Sequence, residues 1–115
     1  MKLAGSCHCG KVKFEAVMVL EKAISCNCSI CSKRGSLLDF IPESQFTLIS
    51  GAENLTDYQF NKKVIHHMFC STCGILPFGK GSMPDGTKMI AVNVRCLDNF
   101  DINTLNIQMV NGKDY

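Results

Sequence analysis

Seven of the eight cysteines in this 115-residue chain fall into three short clusters: Cys7-x-Cys9, Cys26-x-Cys28-x-x-Cys31 and Cys70-x-x-Cys73, with Cys96 standing alone. Cysteines two or three positions apart bridge each other poorly, because a disulfide needs a Cα separation of about 5.5–6 Å in a restricted geometry. The same pairs suit a tetrahedral ion, and their spacing is that of zinc or another thiolate-bound metal. A disulfide scaffold and an iron–sulfur cluster are the competing uses of such residues. The clusters divide as four plus three. A site made of Cys7, Cys9, Cys70 and Cys73 would join the N-terminal region to the middle of the chain as a staple, with its coordination complete. Cys26, Cys28 and Cys31 are local and supply only three ligands, which leaves a position open. A substrate thiol could enter there as thiolate, its pKa lowered by the metal. Its sulfur could then attack an aldehyde or leave in a carbon–sulfur cleavage.

The elements that must position these cysteines read as short strands. Lys11–Val17 alternates, with Val12, Phe14 and Ala16 on one side and Lys11, Lys13 and Glu15 on the other, after a turn at Gly10. Ala23–Cys26 reads as a strand entering the triplet, and Ser29–Arg34 as one helical turn closed by Gly35. Further strands are expected at Ser36–Ile41, Phe46–Ser50, Leu55–Phe60, Val64–Phe69, Leu76–Lys80 and Met89–Val94. Turns or brief helices are expected at Pro42–Gln45, Gly51–Asn54 and Gly81–Gly86. Cys70 to Gly74 resembles a zinc knuckle on a hairpin, with Gly74 free to take the positive φ of its loop. The tail beyond Asp98 is undecided. No stretch keeps a 3.6-residue apolar period, so the expected architecture is mainly β in one domain over residues 1–115.

Three segments together resemble the glutathione-dependent formaldehyde-activating enzyme family, also called the centromere protein V/GFA domain. They are Gly5-Ser6-Cys7-His8-Cys9-Gly10-Lys11-Val12-Lys13-Phe14, Cys26-Asn27-Cys28-Ser29-Ile30-Cys31 and Phe69-Cys70-Ser71-Thr72-Cys73-Gly74. Val92-Asn93-Val94-Arg95-Cys96-Leu97-Asp98 is similar to the family's closing segment, so the resemblance covers residues 5–98. It implies a β-tent fold with zinc-bearing hairpins and little helix. It also implies two zinc ions per chain, a structural one on Cys7, Cys9, Cys70 and Cys73 and a catalytic one on Cys26, Cys28 and Cys31. The activity it implies is condensation of formaldehyde with glutathione to S-hydroxymethylglutathione, classed among carbon–sulfur lyases. Asn27 stands where that family often has histidine.

The remaining candidates are weaker. Arg34 follows the triplet and is a tentative substrate contact, because an open site that gains a thiolate becomes more negative and a nearby cation favours that state. Lys33 and Arg95 share the argument, with solvated surface charge as the ordinary alternative. His66 and His67 occupy opposite faces of their strand, so one can face the metal region. His8 is expected to point away from the ion, and Cys96 to be a small buried hydrophobe rather than a distant ligand to the second ion. The formal charge of +2 has no basic run behind it, which argues against a nucleic-acid partner. Seven thiolates and two zinc ions would turn it to −1. No apolar run approaches the roughly 20 residues of a membrane span, and the N-terminus lacks a signal-peptide pattern, so a cytoplasmic protein is expected. The leading expectation is a zinc-dependent lyase of glutathione chemistry. The alternative is a non-catalytic zinc-binding interaction module in which both metals are structural.

Overall fold

The computed structural model describes residues 1–59, 65–99 and 101–111. The strands are β1 (Lys2–Ser6), β2 (Lys13–Val17), β3 (Lys22–Cys26), β4 (Leu38–Pro42), β5 (Phe46–Ser50), β6 (Leu55–Tyr58), β7 (His66–Cys70), β8 (Phe78–Ser82), β9 (Lys88–Asn93) and β10 (Asn106–Val110). Among the described residues the α-helix is a single turn, α1 (Cys31–Arg34), closed by Gly35 at φ 73° with its N–H on the Cys31 carbonyl. Two sheets form, β1-β2-β5 and β10-β3-β4-β9-β8-β7-β6, and the chain is mainly β with little helix, as expected. The radius of gyration of 13.3 Å is that of one compact domain of this length. Among the described residues no helix is long and apolar enough to cross a membrane.

The core lies between the sheets. Phe14 and Ala16 point inward from β2 and meet Phe78, Ile90 and Val92 from β8 and β9. Phe14 stacks on Phe46 at 5.4 Å between ring centroids, and Phe46 meets Phe78 at 4.6 Å, so three aromatic rings bridge the sheets. The alternation expected of this region holds: Val12, Phe14 and Ala16 are all buried.

Several boundaries shift, each for a local reason. The second strand starts at Lys13 rather than Lys11, because Gly10 turns the chain at φ 82° and Val12 spends its backbone groups on Cys7. The Cys7 N–H donates to the Val12 carbonyl at 3.0 Å, and the Val12 N–H donates to Cys7 Sγ at 3.4 Å. The strand expected at Leu76–Lys80 begins instead at Phe78 and runs to Ser82. Pro77 has no N–H, and the Ile75 and Leu76 carbonyls are taken by the Cys70 N–H and Asn93 Nδ2. The strand expected from Ser36 starts at Leu38, because the Ser36 hydroxyl is held by Arg34 and the Leu37 carbonyl by the Val94 N–H. Phe60 and Val64, the ends of two expected strands, lie outside the described residues. β1 and β10 carried no sequence expectation. β10 pairs in parallel with β3, placing Val110 opposite Cys26.

Candidate metal centres

Each cysteine cluster sits where a strand ends. Cys7 follows β1, Cys26 closes β3 and Cys70 closes β7, so a ladder fixes one ligand of each group while the others ride on the adjoining turn. The Sγ atoms of Cys7, Cys9, Cys70 and Cys73 lie within 4.8 Å of one another, as do those of Cys26, Cys28 and Cys31. All eight cysteines are free thiols.

In the first group, Cys9 Sγ lies 3.6 Å from both Cys7 Sγ and Cys70 Sγ. A tetrahedral zinc with bonds of about 2.3 Å has sulfurs about 3.8 Å apart, so the donor set fits that ion in chemistry and spacing. The surroundings supply donors to sulfur. Asn54 Nδ2 donates to Cys70 Sγ at 3.1 Å and the Cys73 N–H donates to it at 3.5 Å. The Cys73 backbone N–H, aided by that of Thr72, brings the Cys70 thiol down to about 6 against the opposing effect of burial. Cys9 behaves oppositely: the Lys11 backbone lowers it, but burial and its neighbouring thiols outweigh that and carry it to about 11. Four thiols crowded together cannot all ionise without a cation, and a metal is the partner that resolves the conflict.

Asn54 is a residue that the sequence reading missed. It ends a 3-10 turn, Ala52–Asn54, and an asparagine in such a turn is ordinary by itself. Gly51 places that turn against Lys11 and Val12. Its φ is 90°, and a Cβ there would collide with the Lys11 carbonyl.

The second group is built from one segment. Cys26, Cys28 and Cys31 curl around the start of α1, and the Cys31 N–H donates to Cys28 Sγ at 3.4 Å. Burial, then the neighbouring Cys28, pushes the Cys31 thiol up to about 12 while Arg34 pulls the other way. Arg34 Nη2 donates to Cys31 Sγ at 3.7 Å. Its guanidinium is held by Ser36, whose Oγ accepts from Nε at 2.8 Å, and by His67, whose Nδ1 lies 3.3 Å from Nη1. Arginine only donates, so His67 Nδ1 accepts and its ring is neutral with the proton on Nε2. Asn27 points elsewhere: its Nδ2 donates to Asn111 Oδ1 at 2.9 Å, tying the triplet to the end of β10.

The histidines split across the strand as expected. His67 is buried beside Arg34, whereas His66 sits on the other face with its Nδ1 2.6 Å from Asp57 Oδ2. His8 and Lys33 are exposed. Cys96 occupies a 3-10 turn, Val94–Cys96, rather than the end of a strand. It joins neither group, and its Sγ faces the Leu76 carbonyl at 3.8 Å. Burial and the charges of Cys7 and Cys73 raise its thiol to about 11, which places it beside the first group rather than the second.

Residues 2–110 match the family described as glutathione-dependent formaldehyde-activating enzyme. The chain belongs to that family. A Halomonas elongata protein that bears the family's name is 33% identical over 82 residues, which are 64% of this chain and 52% of that protein. The chain thus spans about half the length of that relative. A crystal structure of a Rhodobacter sphaeroides protein superposes with a TM-score of 0.78 at 34% identity, covering 88% of this chain and 93% of that one.

The neutral state of His67 has a pH consequence. Burial, then the Arg34 charge, holds its pKa below the ordinary histidine value. Between the folded and ordinary values the unfolded chain binds more protons, so stability present above the ordinary value is lost as pH falls through the folded one. Thermal midpoints at about pH 7.5 and about pH 5.5 should therefore fall further in the wild type than in His67→Gln. Equal falls in the two proteins would count against this role.

Proposed function

We propose that the chain is a zinc-dependent enzyme of thiol chemistry that joins glutathione to formaldehyde, or cleaves such an adduct, at Cys26, Cys28 and Cys31. In this reading the zinc held by Cys7, Cys9, Cys70 and Cys73 is structural. The observation that carries the reading is the unequal donor count, four thiols in one group and three in the other, with a guanidinium beside the smaller one. Family membership supports the choice of thiol and aldehyde. A zinc ion at the smaller group would supply positive charge that favours the thiolate form of an incoming sulfur.

The forward step is balanced simply. The sulfur lone pair forms a C–S bond with the carbonyl carbon, the C=O π pair moves to oxygen, and that oxygen takes a proton from solvent. Reversal breaks the C–S bond, which is the lyase direction. Arg34 keeps a permanent cation at the cluster, and Ser36 and His67 hold its guanidinium in place.

The test has two readouts on the zinc-loaded chain. Zinc-edge spectroscopy should show the mean sulfur count rising from about 3.5 to about 4 per zinc when glutathione is added. Exchange spectroscopy with labelled formaldehyde and glutathione should show interconversion of free and hydroxymethyl carbon faster than without protein. A chain carrying two zinc ions that changes neither readout would refute the reading and favour an interaction module.

A further inference from the structure

β3 delivers Cys26, the first ligand of the three-cysteine group, and its two neighbours hold it unequally. Toward β4 the register is a single pair, Ile24 with Leu38. Toward β10 every residue of the strand is paired, from Lys22 beside Asn106 to Cys26 beside Val110. β10 is itself anchored at its start. The 3-10 turn Ile102–Thr104 precedes it, with the Asp101 side chain accepting from the Asn103 N–H at 3.0 Å, and the Asn106 N–H donates to the Glu21 carbonyl at 3.0 Å. Leu105 and Ile107 pack against the core between the sheets.

The contact runs past the end of β3 into the cysteine loop. The Asn27 N–H donates to the Val110 carbonyl at 3.1 Å, and Asn27 Nδ2 donates to Asn111 Oδ1 at 2.9 Å. Backbone and side chain of the residue between Cys26 and Cys28 are thus both fixed by one segment. The other end of the loop is held separately, by the Gly35 N–H on the Cys31 carbonyl and the Val94 N–H on the Leu37 carbonyl. Rotation about the Asn27 backbone changes the separation of the two sulfurs that flank it. Thiols already held together bind an ion more tightly than thiols on a loose loop, because no ordering remains to be done when the ion arrives. Asn27 and Asn111 are both exposed, so this pair can be altered without opening the core.

We propose that β10 is a clasp on the three-cysteine loop, with the Asn27–Asn111 hydrogen bond as its lock, so that Asn27 is a positioning residue that keeps Cys26 and Cys28 at metal-binding separation. The proposal rests on the reading of Cys26, Cys28 and Cys31 as a metal centre. A bond that served only the stability of the domain would act on both cysteine groups alike.

The test uses the full chain loaded with an NMR-active cadmium isotope, a soft ion suited to thiolate ligands that reports each site by its own resonance. Wild type should show two resonances, and Cys28→Ser, lacking one, assigns them. Asn111→Leu removes the acceptor. In that variant the resonance of the three-cysteine group should move, and its decay under a competing chelator should quicken about threefold to tenfold, the range of one hydrogen bond. The signal of Cys7, Cys9, Cys70 and Cys73 should keep its position and rate. Asn111→Asp retains Oδ1 and should decay within about twofold of the wild-type rate. Asn111→Leu combined with Asn27→Leu should decay no faster than the faster single variant, since both act through one bond. Equal quickening at both groups, an unchanged rate in Asn111→Leu, equal rates in the Leu and Asp variants, or additive effects in the double variant would overturn the clasp. Any of these with two wild-type resonances removes the clasp alone. A single wild-type resonance removes the metal-centre reading and the clasp with it. The expected changes in a chain whose zinc form does not accelerate formaldehyde–glutathione exchange would refute the enzyme and leave the clasp standing.

Discussion

Cys70→Ser is expected to abolish cooperative folding of the chain. Cys70 is fully buried, receives Asn54 Nδ2 and the Cys73 N–H, and lies 3.6 Å from Cys9 Sγ. Its group joins the loop after β1, in the three-stranded sheet, to the knuckle after β7, in the seven-stranded one. A structural zinc contributes about 10–16 kcal/mol of apparent binding free energy at neutral pH. A domain of this size holds only about 5–15 kcal/mol in total. Breaking the closed site therefore removes as much as the fold has to spare, even though the aromatic core between the sheets is untouched. Circular dichroism melts of the variant should lack the wild-type transition, and a strong chelator should do the same to the wild type. A variant that melts within about 2 °C of wild type with both metals bound would show that the group is not a staple.

Cys28→Ser should have the opposite profile, with chemistry lost and the fold kept. Cys28 is half-buried and belongs to a group made wholly from residues 26–31, so its metal closes no long loop and joins no sheet to another. The variant should retain one zinc per chain and the wild-type dichroism spectrum. Its acceleration of formaldehyde–glutathione exchange should fall by about 10²–10³-fold, the rate equivalent of the few kcal/mol that a metal's charge supplies. Metal analysis and exchange spectroscopy on the same sample check both halves. Two zinc ions retained with activity within about twofold of wild type would remove the triplet from the chemistry.

These two outcomes differ because of where the ligands lie along the chain, and that much was legible beforehand. Ligand spacing is a local property: residues two to five positions apart must be neighbours in space whatever the fold. The triplet could be read directly from Cys26, Cys28 and Cys31, and Cys7 with Cys9 and Cys70 with Cys73 could be read as two halves seeking partners. The two-residue alternation around Phe14 was legible for the same reason, since it is set by the pleat. So was the single helical turn that Gly35 ends.

Contacts between distant segments were not legible. Asn54 reaches Cys70 only because the turn after β5 folds over the knuckle. His67 meets Arg34 because β7 and α1 converge, although 33 positions separate them. β10 settles on β3 in a parallel ladder whose register follows from packing, since no motif in the tail announces it. The Val94 N–H meets the Leu37 carbonyl across two turns that look unrelated in sequence. By itself the sequence determined which residues can hold metal, how they divide and which faces of the strands are apolar, because those properties need only near neighbours. Tertiary structure alone decided what surrounds each thiol, because that depends on which strand ends the core brings together.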